Sequence, residues 1–74
     1  MKIATLGNAC KSLGTQIRNA RKKRGLTQAQ LAEMVGWKAP YISKAERGIQ
    51  APSTEILFAI CIALNAELQI VQEE

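Results

Sequence analysis

The 74-residue sequence contains no histidine, no aspartate and only two cysteines. These residue types supply many of the general bases, nucleophiles and metal ligands of enzymes, so their scarcity predicts a protein that is not an enzyme and has no metal or other cofactor. Cys10 and Cys61 are also too few for the disulfide framework of a small secreted domain. No apolar run approaches the roughly 18 residues of a membrane span. We therefore expect a soluble, cytoplasmic protein with no membrane partner.

Positive charge is concentrated in one part of the chain. Residues 1–50 contain all ten lysines and arginines but only two of the six acidic residues, which gives a net charge of +8. Residues 51–74 contain the other four glutamates and no basic residue, which gives −4. A basic body favours a polyanion as partner. Charge alone fits a solvated basic surface equally well, so a motif has to decide between the two.

Capping residues and apolar periodicity predict that most of the chain is helical. Asn8 is expected to cap the first helix and Ser53 the fourth, while Thr27 and Gln30 match a capping box at the start of the second. Pro40 suits the first turn of the third helix, where its missing N–H costs no intrahelical hydrogen bond. The predicted helices span about residues 8–24, 27–36, 39–47 and 54–64.

The pattern changes after Asn65. Residues 66–72 alternate between apolar and polar side chains, which is typical of a short, half-buried strand. A single strand has no partner in its own chain, so we predict that it pairs across a homodimer through Leu68 and Ile70. The predicted organisation is an N-terminal arm at residues 1–7, a helical domain at 8–65 and a dimerisation strand and tail at 66–74.

Two short helices joined by a tight turn at residues 27–47 fit a helix-turn-helix. Many helical hairpins have no role on DNA, so the residues within the motif matter more than its geometry. The sequence has GLTQ at residue 25, LAE at 31, YISK at 41 and ERG at 46. This pattern closely resembles the helix-turn-helix family of phage lambda-type repressors and Cro. The resemblance extends over about residues 11–65.

The resemblance implies an all-α, lambda-repressor-like domain whose third helix enters the major groove of DNA. It places the N-terminus of the second helix against a phosphate, where free N–H groups and the helix dipole favour an anion. Better-known phage members often have glutamines, which can pair with adenine, where this chain has Ala39 and Pro40. Lysine, tyrosine or the shape of the DNA then carries more of the specificity. The expected DNA contacts are Thr27, Gln28, Lys38, Ala39, Pro40, Tyr41, Ser43, Lys44 and Arg47.

Other positions in the resemblance have structural roles. Arg21 and Glu46 match residues that form a buried ion pair between the first and third helices, and we favour this role over DNA contact. Trp37 replaces a small aliphatic or polar residue in the turn, and we interpret it as a plug of the core rather than a base stacker. For Arg47, a phosphate contact and a solvated charge are equally good interpretations.

The function implied is transcriptional repression by a homodimer on an inverted-repeat operator in double-stranded DNA, which places the protein at the bacterial nucleoid. The strand after the fourth helix resembles HipB-like antitoxins, which repress their own operon and bind a HipA-type kinase toxin. One alternative is a stand-alone phage or plasmid repressor. Another is a protein-interaction module without DNA binding, which would explain the apolar strand but not the basic body.

Overall fold

The computed structural model describes residues 6–65, and within them the regular secondary structure is four α-helices joined by turns and short loops. The predicted strand at residues 66–72, with Leu68 and Ile70, and residues 1–5 of the predicted arm lie outside the described residues. Among the described helices, none is long and apolar enough to cross a membrane. The four helices are α1 (Leu6–Lys23), α2 (Gln28–Val35), α3 (Ala39–Glu46) and α4 (Thr54–Leu64).

The start of α1 differs from the prediction. Leu6, which was assigned to the arm, is already helical, and Asn8 lies inside the helix, so the prediction that Asn8 caps it is wrong. A cap contributes only about 1 kcal/mol. Each residue added to an existing helix gains a hydrogen bond at little further cost, so a good capping residue does not by itself stop a helix from extending past it.

The other predicted helix starts are confirmed. Thr27 Oγ1 accepts from the Gln30 N–H at 3.0 Å, and Gln30 Oε1 accepts from the Thr27 N–H at 2.8 Å, which completes the capping box. Ser53 Oγ accepts from the Ile56 N–H at 3.3 Å at the start of α4. Pro40 lies in the first turn of α3, as expected.

The turn between α2 and α3 depends on Gly36. Its φ of 73° is in the left-handed region, which side chains with a Cβ rarely adopt, and its N–H caps the end of α2. The helix therefore stops after Val35, and the chain turns sharply enough to place α3 across α2.

The core lies between the four helices, and each helix contributes at least one fully buried side chain. α1 and α3 approach closely at Gly14, where a Cβ would overlap the carbonyl oxygens of Ala45 and Glu46. This approach places the last turn of α3 directly against α1. The largest fully buried side chains are Ile17, Leu31, Ile42, Ile60 and Leu64.

Candidate nucleic-acid interface

Arg21 of α1 and Glu46 of α3 form a buried, two-pronged ion pair. Arg21 Nε donates to Glu46 Oε2 at 2.6 Å and Nη2 donates to Oε1 at 3.0 Å. Hydrogen bonding to Glu46 raises the pKa of Arg21, against the opposing effect of burial. Arg21 Nη1 also donates to the Leu26 carbonyl at 2.7 Å. The pair therefore ties α1, the turn before α2 and the end of α3 together.

Gln28, the first residue of α2, is attached to this pair. Its side chain is half-buried, and Nε2 donates to Glu46 Oε1 at 3.1 Å. One N–H of the amide is thus used within the protein, and the orientation of the amide is set before any ligand arrives. Thr27, the neighbouring expected DNA contact, is exposed and accepts the capping hydrogen bond.

A groove runs between α1, the start of α2 and α3, with basic side chains along its edge. Arg18, Lys22 and Arg47 are exposed there, whereas Arg21 is buried in its ion pair. Arg47 Nε donates to the Ser43 carbonyl at 3.4 Å, which lays its side chain along α3. The groove is lined by Arg18, Arg21, Lys22, Gln28, Ser43, Glu46 and Arg47.

Arg18 and Lys22 were not among the residues selected from the sequence. For Arg18 a signal was present, because it precedes Arg21 by three positions on the same helix. Because Arg21 faces the third helix, the residue three positions before it lies on the same side of α1, beside that contact. Lys22 follows Arg21 directly, which places it about 100° around the helix, so the spacing gave no signal for it. In the sequence, both residues count only toward the positive charge of residues 1–50.

The predicted base-contacting residues divide into two groups in the structure. Lys38, Pro40, Tyr41 and Lys44 are exposed. Ser43 is half-buried at the groove, and Ala39 is half-buried with its side chain packed against the core. α3 and its N-cap, Lys38, therefore present two exposed lysines, a proline ring and a tyrosine, while the one acid of the helix, Glu46, is buried.

Trp37 connects the core to this exposed side. It is half-buried and packs against the core cluster, as a plug would. It also stacks on Tyr41, with ring centroids 5.5 Å apart and an angle of 28° between the planes. Lys44 Nζ lies 6.0 Å from the centroid of the Tyr41 ring. The contacts among these three side chains were not predicted from the sequence.

The profile of the helix-turn-helix family HTH_3 matches residues 17–71, which include α2, α3 and α4. The chain belongs to this family of lambda repressor/Cro-type helix-turn-helix proteins. The resemblance inferred from the motifs at residues 25–48 is thereby confirmed.

Similar proteins include regulators from phages and bacteria. The ImmF control region 10 kDa protein of Bacillus phage phi105 is 36% identical over 62 residues, which cover 84% of this chain and 69% of the phage protein. The transcriptional regulator ClgR of Mycobacterium tuberculosis is 37% identical over 59 residues, which cover 80% of this chain and 53% of ClgR. Antitoxin PezA of Streptococcus pneumoniae is 35% identical over 63 residues, covering 84% of this chain and 40% of PezA. The chain thus spans about half of ClgR and less of PezA.

Solved structures share the helical fold. The P22 c2 repressor, in complex with a synthetic operator, superposes with a TM-score of 0.72 at 40% identity, covering 74% of this chain and 83% of the repressor chain. ClgR of Corynebacterium glutamicum superposes with a TM-score of 0.75 at 36% identity, covering 78% of this chain and 62% of ClgR. The predicted lambda-repressor-like helical architecture is therefore confirmed for the described helices.

Proposed function

We propose that this protein is a sequence-specific DNA-binding transcriptional repressor that places α3 in the major groove of an operator. The observation that carries the proposal is the exposed side of α3, where Lys38, Tyr41 and Lys44 stand on a helix whose only acid is neutralised by Arg21. Membership of the helix-turn-helix family supports it. So does the similarity to the P22 c2 repressor, whose structure contains a synthetic operator.

The base contacts follow from the chemistry of the exposed side chains. Lys38 and Lys44 can donate to guanine O6 and N7 in the major groove. Pro40 offers only apolar contact, for which the thymine methyl group is the natural partner, and Tyr41 combines a ring with a hydroxyl donor. Ala39 packs inward, so it contributes less to base contact than the sequence suggested.

Phosphate contacts are proposed along the groove between α1 and α3. Arg18, Lys22 and Arg47 are exposed cations at its edge. The N-terminus of α2 adds backbone N–H groups and the positive end of the helix dipole, together with Thr27 and Gln28. Such contacts fix the position of a protein on DNA and carry no sequence information by themselves.

The repressor is proposed to act as a homodimer. Phe58 is 65% exposed and Ile62 is 82% exposed, and their spacing of one helical turn places them on one side of α4. The predicted strand at residues 66–72 follows this helix directly. A second copy that covers both elements would set two α3 helices about one DNA turn apart, which requires an inverted-repeat operator.

Selection of bound DNA from a random library at moderate salt tests the proposal. The expected product is an inverted repeat whose half-sites are centred about 34 Å apart. Recovery of no enriched sequence would favour a protein-interaction module instead. The double variant Leu68→Asp, Ile70→Asp tests the strand separately. We expect a monomer with weak operator binding. A double variant that stays dimeric would contradict the strand pairing.

An autoregulating antitoxin is a second candidate, favoured by the identity with PezA. The HipA-type kinase partner depends on the strand pattern at residues 66–72 and stays a prediction. The similarity to the phage phi105 and P22 proteins favours a stand-alone repressor. Co-expression with the product of the adjacent gene distinguishes the two. An antitoxin should bind that product and relieve its toxicity, whereas a stand-alone repressor should do neither.

A further inference from the structure

Trp37 is held from two directions at the entrance to α3. Its backbone N–H donates to the Ala32 carbonyl at 2.9 Å, which fixes the turn after α2. Its ring packs against the buried core cluster on the protein side. Because both the backbone and the ring are held, Trp37 forms a rigid platform between the interior and the exposed side of α3.

Tyr41 lies on this platform. Its side chain is 38% exposed, and its ring stacks on Trp37 with centroids 5.5 Å apart. An exposed tyrosine without such a contact exchanges between rotamers, and a protein that binds through it loses that freedom on binding. The stack removes part of this freedom in the free protein. The Lys44 ammonium lies 6.0 Å from the Tyr41 ring centroid, at the outer range of a cation–π contact.

We propose that Trp37 is a positioning residue for base recognition, which holds Tyr41, and through it Lys44, in the orientation that meets the base edges. The proposal rests on the proposed DNA-binding function and assigns no DNA contact to Trp37 itself. Immobilising a side chain before binding removes a cost from the binding step. We expect the stack to raise operator affinity by about two- to tenfold, because the interaction between two aromatic side chains changes an equilibrium constant by about this factor.

The competing explanation is that Trp37 only fills space. Two replacements separate these roles, because both are apolar and only one can stack. Trp37→Phe keeps an aromatic ring beside Tyr41, whereas Trp37→Leu keeps an apolar plug and loses the stack. Thermal unfolding of both variants shows how much each substitution destabilises the fold. DNA binding is then measured well below the lower of the two unfolding temperatures.

The decisive measurement is the base preference of each variant at every position of the selected operator. Tyr41→Ala first identifies the base pairs whose preference depends on Tyr41. Trp37→Leu should relax preference at those same base pairs and lower operator affinity by about two- to tenfold, while affinity for unrelated DNA stays within about twofold. Trp37→Phe should retain most of the preference. In the Tyr41→Ala background, Trp37→Leu should have no further effect on operator affinity.

Several results would overturn the proposal. An equal loss of affinity for operator and unrelated DNA would make Trp37 a packing residue only. So would additive losses from Trp37→Leu and Tyr41→Ala, or equal losses from Trp37→Leu and Trp37→Phe. These results differ from a failure of the proposed function, in which the unaltered protein itself selects no sequence and both proposals fall.

The stack can also be checked without DNA. Trp37 is the one tryptophan of the chain, so the intrinsic tryptophan emission reports on this position alone. Tyr41→Ala should change that emission in the free protein, because it removes the ring that covers Trp37. Emission that does not change on loss of Tyr41 would contradict the stack on which the proposal depends.

Discussion

α3 and its N-cap present two lysines and a tyrosine to solvent, whereas α4 presents Phe58 and Ile62. The two helices follow each other in the chain and both bury one side in the same core. Their outer sides nevertheless have opposite chemistry, since α3 has an exposed lysine in its last turn and α4 has an exposed glutamate, Glu55, in its first. An exposed apolar ridge is costly in water unless another surface covers it, while exposed cations are well hydrated until a polyanion replaces the water. The difference fits the proposal, in which DNA meets the α3 side and a second copy covers the α4 side.

The largest expected effect comes from the α4 side. Phe58→Asp with Ile62→Asp should give a folded monomer, because both side chains are exposed and leave the described core intact. Operator affinity should fall by about 10²–10⁴-fold, because two linked half-site contacts become independent. Sedimentation measures the oligomeric state, and titration with operator DNA measures the affinity. Ile49→Asp is the matched control, since Ile49 is an exposed isoleucine in the loop before α4. A double variant that remains dimeric would remove α4 from the proposed interface.

The next effect tests what holds α3 in place. Glu46→Ala leaves the Arg21 charge buried without its partner, which should lower the free energy of unfolding by about 3–5 kcal/mol in urea denaturation. Arg21→Met combined with Glu46→Leu should recover most of this loss, since apolar pairs often replace buried ion pairs without cost. Glu55→Ala, at an exposed acid of α4, should change stability by less than about 0.5 kcal/mol. Equal effects of Glu46→Ala and Glu55→Ala would contradict the structural role of the pair.

Gly14 sets how closely α1 approaches the last turn of α3, where Glu46 lies. Gly14→Ala should lower the free energy of unfolding by about 1–3 kcal/mol, because the new methyl group overlaps the carbonyl oxygens of Ala45 and Glu46. Alanine is otherwise the better helix former, so Asn19→Ala at an exposed position of α1 should be neutral or stabilising. Chemical denaturation measures both variants. A stabilising Gly14→Ala would mean that α1 can move away from α3 at no cost.

Contacts between groups that are close in the sequence were predictable for this protein, whereas the rotation of one helix against another was not. The capping box at Thr27, the Ser53 cap and the end of α2 at Gly36 were predictable because the interacting groups are within a few residues of each other. The inward position of Ala39 and the place of Lys22 in the groove depend on how α1 and α3 are rotated against each other. That rotation is set by packing over many residues, so no single local pattern contains it.

Lys38 tests direct base contact on the α3 side. If this exposed lysine contacts a base, Lys38→Ala should weaken operator binding by about 1–3 kcal/mol and relax the preference at one base pair. Competition between the operator and single-base variants measures the preference. A loss that is the same for every sequence would instead make Lys38 a phosphate contact.

The smallest expected effect is the difference between substitutions of two adjacent lysines of α1. Lys22 lines the groove with Ser43 and Arg47, whereas Lys23 lies beside Leu64 and Asn65 at the end of α4. Lys22→Ala should weaken binding to all sequences to a similar extent and reduce the slope of log K against log salt by about 1. Lys23→Ala removes the same charge from the same helix, so it should lower affinity only through weaker long-range attraction, with a smaller change in slope. Equal losses of affinity and equal changes of slope would mean that DNA binding depends on the net charge of α1 and not on the groove. Lys22 would then not be a phosphate contact.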